Sequence, residues 1–374
     1  MRSQLSEEIS ALPEIPPQSA QAYRAHLGDL VEKVNTRMRS RADISLLIGE
    51  NPMRMMFDNH QNHALFMSNV FSLNAFALLA DTLPWVYRTY HHHGFDWQYF
   101  PAHLDSWVQA LEQTMASDIA APLIRVYEWM QSHHADFIEL AGSFSPLRRE
   151  PAPEWKQTFD AFVRALLAAD RKACTDLAGR SVTSAEGLGD FYLNVIQPAM
   201  YTVGNMWEKG EISVATEHLA SALVNRMMSM QYIELMQSPG ADKGKAVVTA
   251  APNEFHEIGA TMVANALEAE GWEVSYLGAN TPPEDLLGFV SSGNIDILAI
   301  SASLPFNLEA VGSVIQHIRS GPENAQPKIM LGGLVFLDHP ELAEKLGADA
   351  TAKDCKQAVK LAERWQKKKT NESS

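Results

Sequence analysis

Residues 246–259 read Ala-Val-Val-Thr-Ala-Ala-Pro-Asn-Glu-Phe-His-Glu-Ile-Gly. The first six are small or β-branched, with the length of a buried strand, and a polar segment follows them. The same pattern recurs downstream, where β-rich runs at 273–277, 296–301 and 328–331, and a weaker one at 348–351, are separated by helical segments. Alternation of this kind specifies a parallel doubly wound sheet, in which ligands sit beyond the C-terminal ends of the strands. The residues to question are therefore those that follow each strand.

Three short segments occupy those positions: Glu254-Phe255-His256-Glu257-Ile258-Gly259, Ser301-Ala302-Ser303, and Gly332-Gly333. Neutral imidazole is a good transition-metal ligand, and a carboxylate two residues away can accept its other N–H, which fixes the tautomer and raises basicity. Gly259 and the pair Gly332 and Gly333 lack side chains, so backbone can approach a bulky ligand closely. Ser301 adds a short hydroxyl able to bond a buried ring nitrogen. Together the three segments suit a large cofactor with a tail that enters the sheet edge-on.

The segment resembles the cobalamin-binding domain shared by cobalamin-dependent methionine synthases, mutases, corrinoid methyl carriers and B12 photoreceptors. The family pattern is Asp-x-His-x-x-Gly, Ser-x-Leu and Gly-Gly; here 41 residues separate Gly259 from Ser301 and 28 separate Ser303 from Gly332, gaps that match the family's. The resemblance implies that His256 is the lower cobalt ligand and that the displaced nucleotide tail of the cofactor runs beside Ser301 and the glycine pair. Glu254 stands where the family has Asp, one methylene longer, so a looser or differently angled contact with His256 is expected. Ser303 stands where the family has Leu, which alters the tail pocket without moving it.

Upstream, proline, glycine and charge interrupt the chain at 145–153 and 238–245, dividing it into a helical domain at 1–145, a helical bundle at 154–237 and the sheet domain at 246–370. In the bundle, Leu193, Ile196, Met200, Val203 and Trp207 form one apolar stripe, on a helix expected to kink at Pro198. Leu219, Leu223, Met227 and Met230 mark the next helix, beyond a glycine turn. A bundle in this place resembles the cap over the upper face of the cofactor in methionine synthases and B12 photoreceptors. Trp207, nine intervening residues and then Glu217-His218 resemble the Trp-x9-Glu-His signature of adenosylcobalamin-dependent light-sensing regulators. That resemblance implies that Trp207 packs beside an adenosyl group, that Glu217 accepts a hydrogen bond from it, and that His218 takes the upper cobalt position once it has left.

Residues 1–145 read as helical from Phe66, Val70 and Leu73 and from the stretch 104–115. They carry many histidines (His60, His63, His91 to His93, His133, His134), but the contiguous triplet cannot all face one metal from a regular helix, and a helical scaffold or partner-binding surface is expected rather than a metal or haem site. Neither does cysteine suggest chemistry, because Cys174 and Cys355 are far apart and in different domains. The net charge of -15 opposes a general affinity for nucleic acid, and Lys367, Lys368 and Lys369 read as a solvated helix end. No run of roughly 18 apolar residues suggests a membrane span, and the N-terminus lacks the apolar core of a secretory signal, so the cytoplasm is expected.

The fold class is thus α plus α/β: a helical domain, a helical-bundle cap and a flavodoxin-like five-stranded parallel sheet. The expected function is a non-enzymatic cobalamin sensor, an adenosylcobalamin-dependent photoreceptor acting through a protein partner or self-association. Unlike the regulators it resembles, the chain shows no basic winged helix-turn-helix before Glu154, so direct DNA binding is not expected. The alternative is a corrinoid carrier that uses methylcobalamin and shuttles methyl groups between methyltransferases.

Overall fold

A computed structural model describes residues 2–143, 149–235, 243–322 and 326–372. Parts of both interdomain boundaries, 144–148 and 236–242, lie outside the described residues. The chain forms two compact units: Met1–Pro146 with Glu208–Glu211, and Leu147–Trp207 with Ile212–Ser374. The cap and the sheet domain fall in the same unit.

The first unit is helical, from Arg2–Ser10 to His134–Ser143. Its Met53–Leu73 helix ends at Asn74, which adopts the left-handed conformation (φ 47°, ψ 43°) and turns its backbone N–H back onto the Phe71 and Val70 carbonyls. His60 and His63, one turn apart on this helix, face inward and meet His103 of the Tyr99–Thr114 helix, with ring centroids 4.8 and 4.7 Å apart. The rings are held by neighbours: His60 bonds Asn35 Oδ1 (2.6 Å) and Tyr99 OH (3.1 Å), Trp107 Nε1 donates to His103 Nε2 (2.7 Å), and His63 bonds Tyr127 OH (3.2 Å). Burial pushes His60 and His63 down to about 3, so both are neutral core residues at pH 7.

In the second unit the cap opens with Lys156–Leu167 and Arg171–Ser181, the latter capped by Asp170, which accepts from Ala173 N. The expected kink at Pro198 takes a specific form. Residues Tyr192–Ile196 make a single wide π turn, in which Gln197 N–H reaches back to the Tyr192 carbonyl, and an α-helix continues over Gln197–Glu208, so the ladder widens just ahead of Pro198, which has no N–H to give it. Leu193, Ile196 and Val203 are buried as the stripe requires, and Met200 packs against the same core. On the Val214–Leu235 helix the buried face is Ala220, Val224, Met227 and Met228, while Leu219 and Met230 are exposed. The cap core continues into the sheet domain through Met262 and Cys355, and buried Asn265 donates to Tyr192 OH (2.8 Å). Burial raises the Cys174 thiol to about 11 and that of Cys355 to about 12, so neither is a thiolate at neutral pH.

The sheet has five parallel strands, β1 (Lys245–Ala250), β2 (Glu273–Gly278), β3 (Ile297–Ser301), β4 (Lys328–Gly332) and β5 (Ala350–Thr351), in the order β2-β1-β3-β4-β5. β2 is added on one side of β1, and β3, β4 and β5 on the other, so the strand order switches between β1 and β3, the point at which such sheets open a crevice. Ala250 pairs with Ser301, and Ser301 pairs with Gly332, so the ends of the three central strands lie abreast. Among the basic residues of the final helix, Lys369 pairs with Asp296 just before β3 (2.5 Å).

Candidate functional site

The loops after β1 and β3 meet at this crevice. Asn253, at φ 61°, turns the chain out of β1, and its N–H donates to Asn280 Oδ1 (3.0 Å). The next residue, Glu254, points inward and is buried, with 1% of its side chain exposed. Its Oε1 takes His256 Nδ1 at 2.5 Å and the His256 backbone N–H at 3.1 Å. Its Oε2 accepts from the backbone N–H groups of Ser303 (2.8 Å) and Leu304 (3.3 Å) and from Asn307 Nδ2 (3.1 Å).

The contact expected to be loose is therefore direct. The longer side chain carries the carboxylate to a cradle of donors from the β3 loop while keeping His256 within reach. Burial alone would push this carboxyl up, but the His256 ring and the N–H donors outweigh it and hold Glu254 below the ordinary carboxylate range. The same hydrogen bond, against partial desolvation, raises His256, and the Glu217 carboxylate of the cap adds to the effect. With Nδ1 committed to Glu254, Nε2 is the nitrogen left for a metal, and the ring is 62% exposed. Because Ser303 contributes its backbone N–H here, the replacement of leucine leaves this bond intact.

The glycines divide by role. A Cβ at Gly333 (φ +98°) would stand 2.2 Å from the Ala302 carbonyl oxygen, so the β4 turn requires glycine for its own backbone. At Gly332 the nearest atom would be Ala352 O at 3.2 Å, and at Gly259 it would be Ser301 Oγ at 3.8 Å, which puts Gly259 beside the end of β3.

In the cap, Trp207 is half-buried near the end of the Gln197–Glu208 helix, Glu217 lies in the first turn of the Val214–Leu235 helix, and His218 follows it directly. Glu217 Oε2 holds His218 Nδ1 at 2.5 Å while its Oε1 accepts from Ser221 Oγ at 2.8 Å. The His218 side chain is 74% exposed. Apolar side chains stand exposed beside both histidines: Phe255 next to His256, and Val214 and Leu219 flanking His218. A histidine with a free Nε2, a side-chain-free rim and exposed apolar groups fit a large planar corrinoid with a cobalt centre.

Sequence reasoning missed Asn307, because it lies far along the chain from His256 and in a 3-10 turn, Pro305–Asn307, with no local pattern of its own. It also missed Asn225 of the cap, which donates to Glu257 Oε1 at 2.9 Å.

Residues 244–360 match the model of a B12 binding domain, and residues 158–231 match a second B12 binding domain model, the one that covers the cap. Dimethylamine corrinoid protein 3 of Methanosarcina acetivorans is 25% identical over 169 residues, 45% of this chain and 78% of that protein. The HTH-type transcriptional repressor CarH of Myxococcus xanthus is 28% identical over 210 residues, 56% of this chain and 67% of that protein. Among solved structures, the monomethylamine corrinoid protein of Methanosarcina barkeri aligns at 21% identity and a TM-score of 0.48, covering 56% of this chain and 98% of that one. With its two B12 binding domain matches and the cradle of Glu254 and His256, the chain belongs to the capped cobalamin-binding proteins.

Proposed function

We propose that the protein is a cobalamin-dependent sensor that holds adenosylcobalamin in the dark and reports its photolysis through the cap. The observation that carries this is a repeated arrangement. Glu217 and His218 in the cap reproduce what Glu254 and His256 do at the sheet, a carboxylate on Nδ1 that leaves Nε2 for a metal. Bound adenosylcobalamin supplies a cobalt–carbon bond that light can break. His256 would hold the cobalt through Nε2, Trp207 and Glu217 would pack against and hydrogen-bond the adenosyl group, and His218 would offer the cap's own imidazole to the metal. A cap biased by one ligand is a two-state element, which a switch needs. The 28% identity to the transcriptional repressor CarH over 210 residues supports a regulatory role. The output is a protein partner or self-association rather than direct DNA contact, in keeping with a net charge of -15.

A second proposal, a corrinoid methyl carrier using methylcobalamin, is favoured by relatives such as dimethylamine corrinoid protein 3, 25% identical over 169 residues. Absorption spectra and size-exclusion profiles before and after green illumination, with adenosylcobalamin and methylcobalamin in parallel, separate the two. A light-driven change in spectrum and size specific to adenosylcobalamin is expected of the sensor. Equal binding of both forms, with no change in size or shape on illumination, would replace it with the carrier.

A further inference from the structure

We propose that the hydrogen bond from Asn225 to Glu257 is a pin that sets the register of the His218 helix relative to the loop of His256. Three polar side chains on the Val214–Leu235 helix, Glu217, Ser221 and Asn225, are spaced four residues apart and so share one face. The first two bond each other, and Asn225 Nδ2 reaches Glu257 Oε1 at 2.9 Å. Glu257 directly follows His256, and its backbone is already fixed: its carbonyl accepts from Thr261 N (2.8 Å) and Thr261 Oγ1 (3.0 Å). A cap side chain therefore grips a rigid point beside the lower histidine, two helical turns from the upper one. Loss of this bond leaves the helix in place through its apolar core but lets it shift along its axis, which moves His218 off the cobalt position. Asn225 and Glu257 are positioning residues, and their role rests on the proposed part of His218 as upper ligand.

The test uses the full chain loaded with hydroxocobalamin, whose absorption distinguishes two histidine ligands from one histidine and water. Asn225→Leu and Glu257→Leu each lower the ratio of His218-bound to water-bound forms about tenfold, the worth of one charge-assisted hydrogen bond at a half-buried site. Their double variant is no worse than either. Glu257→Gln keeps a neutral acceptor without the charge and lies between native and the leucine variants. His218→Ala is run alongside: if it leaves the spectrum unchanged, the upper-ligand role itself fails.

Amide hydrogen exchange of the cofactor-free protein reads the pin without cobalamin, with residues 217–225 exchanging about tenfold faster in Asn225→Leu and by a smaller factor in Glu257→Gln. Native-like exchange in Asn225→Leu overturns the pin whatever His218 does. Native-like ligation in both leucine variants, with His218→Ala showing the expected loss, overturns it while leaving the sensor standing.

Discussion

Replacing Asn307 by leucine tests the Glu254 cradle at one atom. Asn307 is buried and supplies one of the three donors on Glu254 Oε2, the others being the backbone N–H groups of Ser303 and Leu304. Leucine has a similar volume, so the substitution opens little cavity and removes chiefly the bond. A hydrogen bond to a buried charge contributes about 1.5–3 kcal/mol, and two donors remain on this oxygen, so the expected loss is about 2 kcal/mol. Native-state hydrogen exchange of the β1 and β3 amides measures it in the unit concerned, where the free energy of opening should fall by that amount. The rotational freedom returned to Glu254 reaches His256 through the 2.5 Å bond, and cobalamin affinity should fall about tenfold, the usual cost of losing a partner behind a metal ligand. Unchanged opening energies together with native cobalamin affinity would show that the backbone donors alone define the site.

His256→Ala should leave the circular dichroism unchanged, since the ring is largely exposed, but weaken cobalamin binding and leave the cofactor's own base on cobalt; native affinity and spectrum would refute the ligand assignment. Gly333→Ala should destabilise the sheet unit by more than about 3 kcal/mol, because a Cβ there meets backbone and the φ angle is strained, while Gly332→Ala costs about 1 kcal/mol; similar unfolding midpoints for the two would contradict the contrast. The first unit should lose stability in acid: His60 and His63 fold with values near 3 against 6.5 unfolded, so the unfolded chain binds more protons between those limits and stability falls as pH drops below 6.5. At pH 5 that is about 2 kcal/mol per histidine, read as a fall in unfolding temperature relative to pH 7 that is reduced in His63→Phe; a flat profile would mean that the rings are not desolvated.

The strands and the segments that follow them were legible in the sequence because both are local. A run such as 246–251 carries its β-branched signature in consecutive residues, and β1 came out as Lys245–Ala250. The position of His256 and the glycines just beyond the strand ends was legible from spacing, since strand and helix lengths set how many residues return the chain to the same rim, while their roles toward a cofactor are what the family resemblance implies. The break near Pro198 was legible as a position, whereas its form as a π turn depends on which carbonyls the surrounding core leaves to be satisfied.

What tertiary structure decided lies between segments far apart in the chain. Nothing near Asn307 announces Glu254, and nothing near Asn225 announces Glu257; each pair exists because parallel strand order and cap docking bring separate loops together. The longer Glu254 looked like a weakness when set against a shorter aspartate, because the donors waiting for its second oxygen are contributed by the loop after β3. His60 and His63, whose spacing suggested no metal site, proved to be neutral core rings packed against His103, since only packing determines how much water a side chain loses. Local covalent order fixes which conformations a segment favours, while burial and long-range hydrogen bonding, which depend on the whole fold, fix the charge and orientation of the groups that do the chemistry.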